Sequence, residues 1–118
     1  MKYKKILCFD IDNVICKTKN LNYSQSIKID KSINLINDLY DNGYYIKIFT
    51  ARYMGRNAEN SNKAKKQGFD FTKKQLNKWG LKFHKLYFGK PTFDVYVDDK
   101  NFEFKKNWQT KFRKKYII

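Results

Sequence analysis

Two acids, Asp10 and Asp12, directly follow a short apolar run, Lys5 to Phe9. An uninterrupted apolar run of this length is typical of a strand covered on both faces, so we expect it at the centre of a sheet. Two carboxylates held close together where water is scarce resist joint ionisation unless a cation or a basic group offsets them. The pair therefore predicts a site that also holds positive charge.

The elements that follow would bring a hydroxyl to the same place. Asp30 opens a stretch with apolar residues at helical spacing, and Gly43 stands where such a helix would end. Tyr44 to Phe49 predicts a second strand, followed by Thr50. A strand, helix and strand in this order cross over right-handed and make the two strands parallel. Because sites lie at the carboxyl ends of such strands, we expect Thr50 beside the two acids.

The middle and the end of the chain predict helices. Residues 53–70 are polar and weakly patterned, which favours a loop or an irregular helix. Thr72 and Gln75 have the spacing of a capping box and predict a helix that ends at Gly80. The tail from Asn101 carries aromatic residues at three- and four-residue spacings, and we expect it to form an amphipathic helix over the sheet.

Two further strands are predicted, each with polar residues at its end. Lys85 to Phe88 runs into Lys90, and Asp94 to Val97 runs into Asp98 and Asp99. Four strands would thus deliver carboxylates, a hydroxyl and an ammonium group to one sheet edge. A bound cation with an anionic substrate would neutralise this set. Mg²⁺ fits, because it is usually held by one or two carboxylates, waters and a substrate phosphate.

In order, these strand ends resemble the four motifs of the haloacid dehalogenase (HAD) superfamily of aspartyl phosphotransferases. The first motif is Asp10-Ile11-Asp12, the second Thr50, the third Lys90 and the fourth Asp98-Asp99, so the resemblance covers nearly the whole chain. The segments FDIDN, IFTAR, FGKP and YVDDK look like those of small bacterial phosphatases of capsule polysaccharide biosynthesis. The resemblance implies an α/β, three-layer Rossmann-like (HAD-like) fold with a mainly parallel central sheet.

The resemblance also implies catalytic roles. Asp10 would attack phosphorus to form an aspartyl-phosphate, and Asp12 would protonate the leaving group and then activate water. Thr50, with Ala51 and its neighbouring amides, would hold phosphate oxygens. Lys90 would bind the phosphate and neutralise the transferring phosphoryl group.

The implied cofactor is Mg²⁺, held by Asp10, Asp12 and the pair Asp98 and Asp99, of which the second acid is our first choice as a direct ligand. Arg52 has two interpretations. It either clamps the substrate or pairs with a surface acid.

The size of the chain predicts one domain, residues 1–118, without a cap domain. The intervals between motifs are mostly used by the helices and strands that the sheet requires. Only residues 16–29 and 53–70 remain as specificity loops, and Tyr23 could line the entrance. An open site is either filled by a large substrate or covered by a neighbouring subunit, so a homo-oligomer is one of two expectations.

Composition limits the partners. The chain has 26 Lys and Arg against 11 Asp and Glu, a formal charge of +15. The lysines are scattered as pairs along the chain and accompany other residues with AT-rich codons, so we expect the charge to reflect base composition and disfavour nucleic acid as a partner. Cys8 and Cys16 form no disulfide pattern. No apolar run approaches the roughly 20 residues of a membrane span, and we expect a cytoplasmic protein with no span.

Together these inferences predict a Mg²⁺-dependent phosphomonoester hydrolase. Its small phosphorylated substrate would be a sugar phosphate or a related intermediate of capsule or surface polysaccharide biosynthesis, which rests on the resemblance alone. Two alternatives stay open. One is a polynucleotide-end phosphatase, and the other is a non-catalytic, basic nucleic-acid-binding module on a HAD scaffold.

Overall fold

A computed structural model describes residues 2–117. Two single-turn 3₁₀ helices, Tyr23–Gln25 and Gly55–Asn57, lie in its loops. No helix in this range is long and apolar enough to cross a membrane. The strands and α-helices, in chain order, are β1 (Ile6–Phe9), β2 (Cys16–Lys17), β3 (Ile27–Lys28), α1 (Asp30–Asp41), β4 (Tyr45–Thr50), α2 (Ser61–Lys78), β5 (Lys85–Phe88) and α3 (Trp108–Tyr116).

The main sheet has three strands in the order β1-β4-β5, and both pairings are parallel. The predicted parallel sheet is therefore confirmed, but β4 is central and β1 is not. The reason is that residues 94–97 form no strand beside β1. Val95 and Val97 are almost fully exposed, at 80% and 92%. Valine favours a strand only where a neighbouring strand and a packed face receive it.

The core lies on one face of the sheet. Leu7 and Phe9 of β1 are buried, while the alternate residue Ile6 is 64% exposed, and Tyr87 of β5 is 42% exposed. Residues 2–117 therefore form a sheet with helices on one face, in place of the predicted three layers. Apolar residues of the sheet and all three helices form one cluster: Leu7, Phe9, Ile46, Ile48, Leu86, Ile33, Leu35, Ile36, Leu39, Leu76, Trp108 and Phe112.

Helix α2 begins at Ser61, so the predicted start at Thr72 is wrong. Its N-cap is Asn60, whose side-chain oxygen accepts a hydrogen bond from the Lys63 N–H at 3.0 Å. Thr72 lies buried in the middle of the helix. The buried positions before Leu76 are occupied by the small residues Ala64, Gly68 and Thr72, which give little apolar periodicity. The predicted end is confirmed, since Gly80 adopts a φ of 76° just after the helix.

The other helices and loops complete the domain. Helix α1 spans the predicted stretch, and Gly43 follows it with a φ of 93°. Helix α3 begins at Trp108, later than the predicted Asn101, and its Trp108 and Phe112 rings lie 6.3 and 5.4 Å from Phe9. Strands β2 and β3 pair antiparallel as a small flap between Asp12 and α1. No cap domain is visible in the part of the chain that the structure describes.

Candidate active site

Three parallel strands bring Asp10, Thr50 and Lys90 to one edge of the sheet. Asp10 directly follows β1, Thr50 ends β4, and Lys90 lies two residues beyond β5. The Lys90 main-chain N–H donates to the Thr50 carbonyl at 3.2 Å, and the Lys90 ammonium lies 3.2 Å from Asp10 Oδ2. Gly89 makes this turn with a φ of 99°, a conformation that glycine adopts without a steric cost. The structure thus brings these three predicted residues together.

The charge of Asp10 is only partly compensated. Burial raises the pKa of its carboxyl group, whereas Lys90 and a hydrogen bond from the Ile11 N–H at 2.7 Å lower it, and Asp12 raises it again. The pKa stays above its ordinary value because burial dominates. A further cation near Asp10 would stabilise its carboxylate.

Asp12 is held by Arg52. The Arg52 Nε atom lies 3.2 Å from Asp12 Oδ1 and 3.0 Å from Oδ2, and the Arg52 Nη2 atom lies 3.0 Å from Oδ1. Thr18 Oγ1 also donates to Oδ1 at 2.6 Å. The Arg52 side chain is 0% exposed. Arg52 therefore pairs with an acid, but that acid is Asp12 of the site rather than the surface acid that the sequence analysis considered.

A buried network fixes this pair in place. Arg52 Nη1 donates to Gln75 Oε1 at 2.7 Å, and Gln75 Nε2 donates to the Tyr23 carbonyl at 2.7 Å. The Arg52 guanidinium lies 4.6 Å from the centre of the Tyr23 ring. Thr18 is in turn bonded to Ser26 at 2.6 Å. The sequence analysis missed the polar residues of this network. Gln75 was assigned to a helix start, and Thr18 stands in no pattern that marks it.

The remaining residues near Asp12 pack rather than react. Cys16 is fully buried, with its sulfur 3.6 Å from Asp12 Oδ1, and burial raises the pKa of its thiol. A thiol with a raised pKa is a poor nucleophile. Tyr23 is only 7% exposed and lies under Arg52, so its ring is covered rather than lining an entrance.

Among residues 2–117, neither Asp98 nor Asp99 forms a hydrogen bond or ion pair with Asp10, Asp12 or Lys90. Both are exposed, and the hydrogen bonds of Asp98 come from the Lys100 N–H at 3.1 Å and the Tyr96 hydroxyl at 3.3 Å. The Lys100 N–H is the main cause that lowers the pKa of Asp98. Within residues 2–117, no group of three or more acidic, histidine or cysteine side chains is placed to hold a metal. Because residues 94–97 form no strand, the sheet does not carry Asp98 and Asp99 to its edge in the way that the sequence predicts.

Two exposed aromatic residues lie beside Lys90. The rings of Phe93 and Tyr96 are stacked, with centres 4.8 Å apart and planes at 29°. The Lys90 ammonium lies 5.5 Å from the Phe93 ring centre and 5.7 Å from that of Tyr96. Nothing in the sequence separates these rings from core aromatic residues, so their exposure could not be predicted.

Comparison with known proteins shows the fold of the chain but neither its family nor its function. The chain matches no protein-family model and no curated protein. It is similar to the crystal structure of a structural-genomics target from Vibrio cholerae, with 21% identity, a TM-score of 0.77, and coverage of 94% of this chain and 98% of that one. The similarity shows a shared α/β fold.

Proposed function

We propose that this protein is a HAD-like, Mg²⁺-dependent phosphomonoester hydrolase that works through an aspartyl-phosphate. The observation that carries the proposal is the 3.2 Å contact between the Asp10 carboxylate and the Lys90 ammonium at the shared edge of three parallel strands. Thr50 lies between them on the central strand. The order of these residues along the chain is that of the HAD motifs, which supports the same function.

Asp10 is the proposed nucleophile. An oxygen of its carboxylate bonds to phosphorus while the bond from phosphorus to the ester oxygen breaks, and the alcohol leaves with a proton. Water then attacks the aspartyl-phosphate and releases phosphate. Lys90 offsets the charge that would otherwise keep a carboxylate and a phosphate apart, and it can follow the phosphoryl oxygens during the transfer.

Asp12 is the proposed proton carrier, and its Oδ2 atom is the better placed oxygen. Oδ1 receives contacts from Arg52, Thr18 and Cys16, whereas Oδ2 is contacted by Arg52 Nε among the described residues. Oδ2 is therefore the oxygen that takes a proton from water when Asp12 acts as the base in the second step. Protonation of the leaving group in the first step requires Asp12 to carry the proton that it donates, and the contact between Arg52 Nε and Oδ2 to lengthen so that Oδ2 reaches the ester oxygen.

The donor set at the sheet edge fits Mg²⁺. Asp10 offers a partly exposed carboxylate whose pKa is raised chiefly by burial, so a bound cation would stabilise its charged form. Because Mg²⁺ keeps several waters and takes substrate phosphate oxygens, one carboxylate and the main-chain carbonyl of Asp12 would suffice as protein ligands. When bound, the ion would neutralise phosphate oxygens. A direct role for Asp98 or Asp99 stays a prediction, to be tested with Asp98→Asn and Asp99→Asn.

The test is release of inorganic phosphate from a panel of phosphomonoesters, with Mg²⁺ or with EDTA. The panel contains sugar phosphates, a phosphorylated amino alcohol and phosphorylated oligonucleotide ends. We expect Mg²⁺-dependent release that falls about a thousandfold or more in Asp10→Asn, because a nucleophile is lost. Lys82→Met is the matched control, since Lys82 forms an exposed ion pair with Asp41. Folded wild-type protein that releases no phosphate from any ester would overturn the proposal.

A further inference from the structure

The stacked rings of Phe93 and Tyr96 form an aromatic surface that the proposed chemistry does not use. Phe93 is 45% exposed and Tyr96 is 49% exposed. Because the rings stack on each other, each covers one face of the other, and the outer ring faces, half open to solvent, offer a flat apolar surface to a ligand. We name this pair the aromatic platform.

Hydrogen bonds hold the platform at both ends. Before Phe93, the Thr92 N–H donates to Glu59 Oε1 at 2.8 Å. At the second ring, the Tyr96 hydroxyl donates to Asp98 Oδ2 at 3.3 Å. The rings are therefore oriented before a ligand arrives, and stacking on them costs less conformational entropy than ordering free side chains would.

Lys90 joins the platform to the proposed nucleophile. Its ammonium lies 3.2 Å from Asp10 Oδ2 and within 5.7 Å of both ring centres. A phosphoryl group at Asp10 and Lys90 would thus leave the rest of the ester next to the rings. The platform is consequently placed to contact the leaving group rather than the phosphate.

We propose that the platform binds the ring of a phosphorylated sugar, through stacking of its C–H face on an outer ring face of the Phe93–Tyr96 stack. This inference rests on the proposed function, and it gives the substrate class a basis in the structure. Residues 91–100 favour a neutral, hydroxyl-rich leaving group over a polyanion, because they carry three acids, Asp94, Asp98 and Asp99, against one base, Lys100. An acyclic leaving group would cover less of the two rings.

The kinetic test compares glucose 6-phosphate with glycerol 3-phosphate, which carry the same phosphate charge and differ in the ring. We expect Phe93→Leu to lower the ratio of kcat/KM for glucose 6-phosphate to kcat/KM for glycerol 3-phosphate about tenfold. This is the scale of the free energy of stacking on one ring. Phe93→Tyr should restore the ratio. The control is Phe104→Leu, since Phe104 is 57% exposed and its ring neighbour is Trp108. A ratio that is equal in wild type and Phe93→Leu would overturn the inference.

A binding measurement separates this inference from the proposed function. Calorimetry in EDTA gives the affinities of wild type and Phe93→Leu for the same two esters and for inorganic phosphate. If no ester is hydrolysed but Phe93→Leu loses the preference for the sugar ester, the hydrolase proposal fails and the platform stands. If esters are hydrolysed but Phe93→Leu changes neither the kcat/KM ratio nor the affinity ratio of the two esters, the platform fails and the hydrolase proposal stands. A platform that is instead a contact between two copies would show as a lower sedimentation coefficient in Phe93→Leu with unchanged ratios, which would also overturn the inference.

Discussion

At the scale of single residues, the site depends on charges that are compensated by distant partners. Lys90 reaches Asp10 across 80 positions of the chain, and Arg52 reaches Asp12 across 40. The first pairing was predictable because both residues stand at strand ends in a recognisable order. The second was not, because either an acid or a substrate phosphate would satisfy Arg52 equally well.

The raised pKa of Asp10 predicts how its substitution affects stability at different pH values. Burial raises this carboxyl pKa more than Lys90 lowers it, so the folded chain holds the proton more tightly than the unfolded chain does. That stabilising contribution is complete below the unfolded pKa, about 4, and is lost as pH rises through the folded pKa. We expect Asp10→Asn to be more stable than wild type at neutral pH, with a difference that shrinks on acidification. Urea unfolding in EDTA, at neutral pH and at about pH 4, measures the difference in unfolding free energy between the variant and wild type. A difference that does not change with pH would contradict the prediction.

The pairing of Arg52 with Asp12 predicts a large loss of stability in Arg52→Met. This substitution leaves a carboxylate that is 23% exposed without its cation, and breaking such a buried pair costs about 3–5 kcal/mol. Asp12→Asn in the same chain should recover part of the loss. Urea unfolding of the two single variants and the double variant measures the coupling. Lys82→Met, at an exposed pair, should cost less than about 1 kcal/mol, and an equally small cost at Arg52 would show that the buried pair contributes little.

At the scale of elements, helix α2 shows what apolar periodicity misses. Its buried side carries a glycine at position 68, because the ring of Tyr53 occupies the space that a side chain would need. Tyr53 adopts a left-handed φ of 66°, and its ring lies 4.9 Å from that of Tyr23. Small residues at a close contact lower the apparent hydrophobicity of a helix, so a pattern-based prediction starts the helix too late. The strands of the sheet are short, mostly apolar runs, and their bounds could be predicted to within a residue.

The contact between α2 and Tyr53 predicts opposite effects for two glycine substitutions. Gly68→Ala adds a methyl group where the Tyr53 ring lies, and we expect a cost of about 1–3 kcal/mol from overpacking, larger than the gain in helix propensity of about 1 kcal/mol. Gly55→Ala has no atom within 4 Å of the added carbon and should be neutral or stabilise by up to about 1 kcal/mol. Thermal and urea unfolding of both variants test this. A stabilised Gly68→Ala would mean that the Tyr53 ring moves aside at little cost.

At the scale of the whole molecule, the parallel sheet and the meeting of Asp10, Thr50 and Lys90 at one sheet edge could be predicted. The number of layers could not. Asp94 to Val97 has strand-forming residues, but whether they pair depends on a neighbour and a covering layer that lie far away in the sequence. The same dependence decides where Asp98 and Asp99 lie. A local pattern therefore predicts which residues can end a strand, and the packing of distant segments decides which of those ends meet.

The distribution of charge over the molecule predicts how it meets nucleic acid. Exposed lysines lie on separate helices, with Lys63, Lys66 and Lys74 on α2 and Lys111 and Lys114 on α3, and the net charge is +15. We expect a short single-stranded oligonucleotide to bind with an affinity that falls steeply between about 50 and 200 mM salt. A 5′-phosphate on the same oligonucleotide should not change that affinity, because scattered charges do not select a chain end. Fluorescence anisotropy measures both. An affinity about tenfold higher for the phosphorylated oligonucleotide, together with phosphate release from it, would favour the polynucleotide-end phosphatase over a hydrolase of small esters.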